Sequence, residues 1–182
     1  MEKQNAKSLA YIAVCAVAVF LSFFLHEFSH WLMGEALGYK MALTLNSAYP
    51  LNYFYLKSWH QMAISAAGPV FTIIQAMSFY CIIDRSRKAS LFPFVFIPLY
   101  MRLLGGVLNL FNLNDEGRIS RDLGVGTYTL SVAVCLLLFY LVYRISINQK
   151  YTLKFNMVTL FWTIIFSSIL ILSDMYLILR II

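Results

Sequence analysis

The sequence predicts an all-α polytopic membrane protein with about five transmembrane helices and a short membrane-associated β-hairpin after the first. Three observations carry that prediction. Of 182 residues, 61% are hydrophobic and 12% charged, far from the make-up of a soluble domain. Five stretches approach the roughly 20 apolar residues a bilayer-crossing helix needs: roughly Leu9–Met33, Gln61–Ile83, Leu91–Leu113, Val125–Tyr143 and Phe155–Leu179. Between the first two, residues 40–59 abandon the helical pattern. Little is left over for a water-soluble unit, so residues 1–182 read as a single membrane-embedded domain.

The first helix is expected to start at Ser8, an N-cap residue type, and to stop at Gly38. It ends on His26-Glu27-Phe28-Ser29-His30. At about 100° per residue, His26 and His30 lie about 40° apart on one face, with Val19, Ser22, Phe23, Met33 and Leu37. This is the H-E-x-x-H arrangement, in which two histidines bind Zn2+ and the glutamate is the general base. Glu27 lies on the flank of that face. Glu35 projects about 160° away and reads as an interfacial charge. The competing reading is two buried histidines bonded to backbone beside a paired glutamate. Ionisable groups at membrane depth are costly and point to function by default, which favours the metal.

From Lys40 to Trp59, apolar Met41, Leu43 and Leu45 alternate with Ala42, Thr44 and Asn46. Asn46–Pro50 is turn-like and Leu51–Tyr55 follows, so a hairpin is expected, either an interfacial loop or an edge that pairs with an extended substrate. Non-helical backbone at membrane depth must pack on protein or line a wet cavity. The second span carries Ala66-Ala67-Gly68-Pro69, small residues that allow close approach to the first helix. The third holds Pro93, Pro98, Gly105, Gly106 and Arg102. Arg102 lies deep enough to need a partner, with Asp174 or Asp115 in view. Asn109, Asn112 and Asn114, then Asp115-Glu116-Gly117-Arg118, close this helix with a polar cluster where a third metal ligand is needed. Ser22, Ser29 and the asparagines are available to line a water-filled cleft. The last two spans carry no legible constellation.

The net charge of +6 bears on orientation before nucleic acid, for which no aromatic-basic surface exists. Lys3, Lys7, Arg85, Arg87, Lys88, Arg144, Lys150 and Lys154 fall on one side if the spans alternate. Lys40, Lys57, Arg118, Arg121 and Arg180 fall on the other. The bias favours a cytoplasmic N-terminus; the expected setting is the plasma membrane of a prokaryote, as a multi-pass protein. Cys15, Cys81 and Cys135 each lie in a span, as expected of buried free thiols. The N-terminal apolar run leads straight into the histidine motif and lacks a small-residue cleavage site, so it is expected to be a retained span.

Three stretches together resemble the site-2 protease family of intramembrane zinc metalloproteases. They are His26–His30 running into Leu37-Gly38, then Ala67-Gly68-Pro69, then the segment around Asp115. The resemblance covers a three-helix catalytic core of about residues 9–124, with residues 125–182 as accessory helices matched by hydrophobicity alone. It implies His26 and His30 as zinc ligands, Glu27 as the catalytic glutamate and Asp115 as the third ligand. It implies a β-loop at Lys40–Trp59 that helps place substrate. It also implies, as partners, the lipid bilayer and membrane proteins whose transmembrane segments are cut. The chain departs from the family where Leu-Asp-Gly is usual: it reads Asn114-Asp115-Glu116-Gly117, which keeps Glu116 open as a ligand. It also has Thr72 where the family tends to carry asparagine, leaving Asn109 or Asn112 as donors to a developing oxyanion. Leu45 and Leu51 of the hairpin are further substrate-positioning candidates.

Three classes of function stay in view: an intramembrane metalloprotease, a catalytically silent relative serving as scaffold or chaperone, and a metal-handling transporter. The last would more naturally spread its ligands over several spans.

Overall fold

The structure is a computed structural model and describes residues 8–52, 57–177 and 181. Five helices are long and apolar enough to cross a membrane, and a two-stranded antiparallel hairpin follows the first. This is the architecture of a multi-pass membrane protein. Lys3, Lys7, Tyr53–Tyr55, Leu179 and Arg180, which entered the expectations above, lie outside the described residues.

Helix α1 (Leu9–Ala36) begins where Ser8 accepts from the Tyr11 N–H, and the chain turns away at Gly38, whose φ of +86° suits glycine. Its buried face runs through Cys15, Val19, Ser22, Phe23, His26, His30 and Gly34. Successive steps of four residues drift around the helix, so that Gly34 is buried where Met33 was expected.

Strands β1 (Met41–Leu43) and β2 (Ala48–Pro50) pair with Ala42 opposite Tyr49. The second strand comes earlier than the expected Leu51–Tyr55. The chain already turns within Thr44–Ser47, closed by the Thr44 N–H to the Ser47 carbonyl at 2.8 Å. Pro50 is tolerated because its missing N–H falls on the outer side of the strand. Met41 packs against Gly34, where any side chain would collide with its sulfur.

Helix α2 (Ser58–Ser86) contains Pro69 and packs on α1. A short 3-10 turn leads to α3 (Pro93–Leu108), which stops at Asn109, short of the expected Leu113. The polar cluster then forms its own helix, α4 (Asp115–Asp122). Helix α5 (Thr129–Asn148) lies against α3, and α6 (Leu153–Leu177) against α1.

Two apolar clusters hold the bundle together. One centres on Phe92, Val95, Ile83, Leu138 and Ile145, the other on Val19, Phe23, Ile97 and Leu170. The α6 helix also presents Thr159, Thr163 and Ser167 as a buried stripe of small residues at one-turn spacing. Thr159 pairs with the Tyr11 hydroxyl at 2.6 Å, and Ser167 donates to the Tyr100 hydroxyl at 3.0 Å. Large apolar side chains such as Phe20, Ile74, Leu136 and Phe161 point outward, as lipid-facing residues do. Cys15 is buried, but Cys81 is exposed and Cys135 half-buried, and all three are free thiols.

Candidate metal centre

Three ligand-type atoms meet where α1, α2 and α4 converge. His26 Nε2 lies 3.1 Å from His30 Nε2 and 3.3 Å from Asp115 Oδ2, and His30 Nε2 lies 3.2 Å from the same oxygen. Both imidazoles are buried.

Each ring is placed by something the sequence supplies locally. One turn separates the histidines on α1, so both face α2. They lie directly over Gly68, with no room for a β-carbon between helix and rings. The Ile64 carbonyl of α2 accepts from His30 Nδ1 at 2.6 Å. That bond fixes the His30 tautomer, so Nε2 of the neutral ring presents its lone pair to the cluster.

Asp115 arrives on α4. Asn114 caps that helix by accepting from the Gly117 N–H at 2.6 Å, and the Asn114 N–H donates to Asn109 Oδ1 at 2.9 Å. Gly117 closes on Asn109 too tightly to admit a side chain. The turn between α3 and α4 is therefore locked, and Asp115 opens the helix with Oδ2 toward the histidines. Its other oxygen, Oδ1, accepts from Arg118 Nη2 at 2.6 Å.

Glu116, one residue on, points about 100° away. Its Oε1 accepts from Arg102 Nη1 at 2.8 Å in a buried ion pair. The structure thus brings Asp115, and not Glu116, to the histidines. Arg102 pairs most closely with Glu116; of the two partners expected for it, Asp115 forms a longer ion pair at 3.9 Å and Asp174 is elsewhere. Asp174 accepts from Thr44 Oγ1 and the Leu45 N–H, both at 2.9 Å, tying the hairpin to α6. Arg102 Nη2 is 3.4 Å from both nitrogens of His26, which places it beside the ring and off the axis of either lone pair.

A polar cleft of about 230 Å³ opens at the cluster, lined among others by Glu27, His30, Asp115, Arg118, Ser65 and the hairpin residues Asn46 and Ala48. The cleft lining differs from that expected. Ser22 is buried against Gln75, and Ser29 donates to the Leu25 carbonyl. Thr72 is also committed, donating to the Pro69 carbonyl at 2.9 Å. Asn109 braces the α3–α4 turn, and Asn112 is exposed beyond α3. Leu45 packs on the second apolar cluster, and the Leu51 N–H closes the hairpin on the Lys40 carbonyl. Asn46, Ser65 and Arg118 went unnoticed as site residues in the sequence because no local spacing links them to the histidines.

Among the described residues the hairpin offers one open edge toward this cleft. Bonds at Thr44–Ser47 and Lys40–Leu51 set the alternation of the ladder, so Met41, Leu43, Ala48 and Pro50 turn their backbone groups outward. On β1 the chain itself closes that edge: Glu35 Oε1 accepts from the Met41 N–H, and the Ile181 N–H donates to the Leu43 carbonyl, both at 2.8 Å. On β2 the outward N–H belongs to Ala48, since Pro50 has none, and Ala48 lines the cleft.

No protein-family model, curated protein or solved structure matches the chain.

The spacing of the donor set fits a zinc ion. In a tetrahedron with ligands about 2.1 Å from the metal, neighbouring ligand atoms stand about 3.4 Å apart. The three observed separations, 3.1, 3.2 and 3.3 Å, are close to that edge.

Proposed function

We propose that the chain is an intramembrane zinc metalloprotease of the site-2 type, hydrolysing peptide bonds in or near transmembrane segments of membrane proteins. The observation that carries this reading is the mutual spacing of His26 Nε2, His30 Nε2 and Asp115 Oδ2 beside a cleft that contains Glu27.

His26, His30 and Asp115 would hold the metal, with Ile64 orienting one imidazole and Arg118 leaving a single oxygen of Asp115 turned inward. A bound zinc supplies the charge that acidifies water and polarises a peptide carbonyl. Glu27 Oε1, 4.0 Å from His26 Nε2, accepts a proton from the attacking water and passes it to the leaving amine. The polar walls of the cleft admit water into an otherwise apolar bundle.

A transmembrane substrate hides its peptide groups in helical hydrogen bonds. It must unwind locally, and the outward Ala48 N–H and carbonyl on β2 offer the released backbone a partner at the mouth of the cleft. The distribution of basic residues supports a cytoplasmic N-terminus.

A second reading is favoured by one contact. Arg102 beside His26, together with the ion pairs of Asp115 and Glu116, lets the cluster serve as a metal-free polar lock in a membrane scaffold.

Zinc content and cleavage of a transmembrane peptide, measured on the same protein in liposomes, separate the two. The wild type is expected to carry about one zinc and to cleave; Glu27→Gln is expected to keep the zinc and lose cleavage by about 100-fold or more. A folded wild type that takes up no zinc from excess ion refutes the protease.

A further inference from the structure

Resting on that proposal, we infer that Arg118 is the substrate-binding cation of the cleft: its guanidinium takes the scissile carbonyl oxygen as that oxygen gains negative charge, then the new C-terminal carboxylate. Hydrolysis consumes one water. Its oxygen joins the carbonyl carbon, the C–N bond breaks, and the amine departs with the proton relayed by Glu27. Negative charge gathers on the acyl oxygen throughout, and a fixed donor beside it lowers the barrier.

The case is one of elimination joined to geometry. Thr72 spends its hydroxyl on the Pro69 carbonyl, and Asn109 turns its amide nitrogen to the Thr127 carbonyl at 3.5 Å while its amide oxygen accepts from the Asn114 N–H. Arg102 is buried against Glu116. Arg118 is the one Lys or Arg side chain in the cleft wall among the described residues, and 39% of its side chain is exposed. A guanidinium carries five N–H donors. Three are occupied: Nε to Ser65 Oγ at 3.3 Å, Nη1 to the Leu113 carbonyl at 3.4 Å and Nη2 to Asp115 Oδ1 at 2.6 Å. The remaining two have no partner among the described residues. Contacts to α2, to the α3–α4 turn and to Asp115 hold the plane still, so its donors are set before substrate arrives, as electrostatic stabilisation requires. Lysine, a point charge on a flexible stem, does not reproduce that fork.

The test uses full-length Glu27→Gln protein in detergent with zinc kept saturating and metal content measured on each sample. The probes are an N-acetylated trileucine with a free C-terminal carboxylate and the same peptide as its carboxamide. Loss of a charge-assisted hydrogen bond is expected to weaken carboxylate binding about 10- to 100-fold in Arg118→Gln. Carboxamide binding and zinc content should change little. Arg118→Lys, which keeps a cation near Asp115, should retain zinc and recover only part of the carboxylate preference. A carboxylate preference unchanged in zinc-loaded Arg118→Gln overturns the inference while leaving the protease reading intact. A loss of binding that follows loss of zinc in both variants also overturns it, reducing Arg118 to a brace for Asp115. Absence of zinc from the parent protein refutes the protease reading instead.

Discussion

Under the proposed function, Gly68→Ala should weaken metal binding while sparing the fold. A β-carbon at this position would collide with His26 Cε1 and His30 Nε2, and would stand 2.6 Å from His26 Nδ1. Ordinary contact begins at 3.4 Å, so that ring nitrogen must retreat by about 0.8 Å, and the two nearer atoms by more. Metal sites tolerate departures of about 0.2 Å from ideal ligand distances. Both histidines are thereby displaced several times further than a zinc ion allows. Changes that merely disorient a ligand weaken binding about 10- to 100-fold, so an affinity loss of at least about 100-fold, near 2.7 kcal/mol, is expected. The helix itself gains from the change, since alanine is favoured over glycine in a helix interior by about 1 kcal/mol. A competition titration against a chromophoric chelator in detergent measures the affinity, with circular dichroism on the same sample to check helicity. A helical Gly68→Ala protein binding zinc within about threefold of wild type, a difference under 1 kcal/mol, refutes the placement of the histidines over this glycine.

Two further outcomes follow from contacts the sequence did not disclose. Glu116→Gln leaves the buried Arg102 guanidinium without its carboxylate and should lower stability by about 3–5 kcal/mol, read as a shift in denaturant midpoint in detergent. The double replacement Arg102→Met with Glu116→Met should restore most of that loss, and a single variant as stable as wild type disproves the ion pair. Ala48→Pro removes the outward N–H of β2 at a strand-initial position where proline is tolerated. Zinc should stay at about one per chain while cleavage slows about tenfold, the worth of one backbone hydrogen bond; an unchanged rate excludes strand pairing at this edge.

Much of this molecule was legible before any coordinates. Composition and five apolar runs fixed the membrane class, since no soluble chain exposes so much apolar surface. Helical periodicity alone placed His26 and His30 on one face, and Ser8 and Gly38 marked the ends of α1. These features depend on residues a few positions apart, which local geometry governs.

What only tertiary structure decided lies across longer separations. Asp115 reaches the histidines because Asn109, Asn114 and Gly117 lock a turn 85 residues downstream of His30. Adjacent carboxylates carry the same chemistry in sequence, and only the packing of α4 sends Asp115 to the imidazoles and Glu116 to Arg102. Asp174 looked like a partner for Arg102 by charge and depth, yet it anchors the hairpin, because α6 lies against α1 and ends beside Thr44 and Leu45. The hairpin register shifted for a similar reason. Apolar alternation names the strand-forming residues, but the turn at Thr44–Ser47 and the closure of β1 by Glu35 and Ile181 determine which edge remains open.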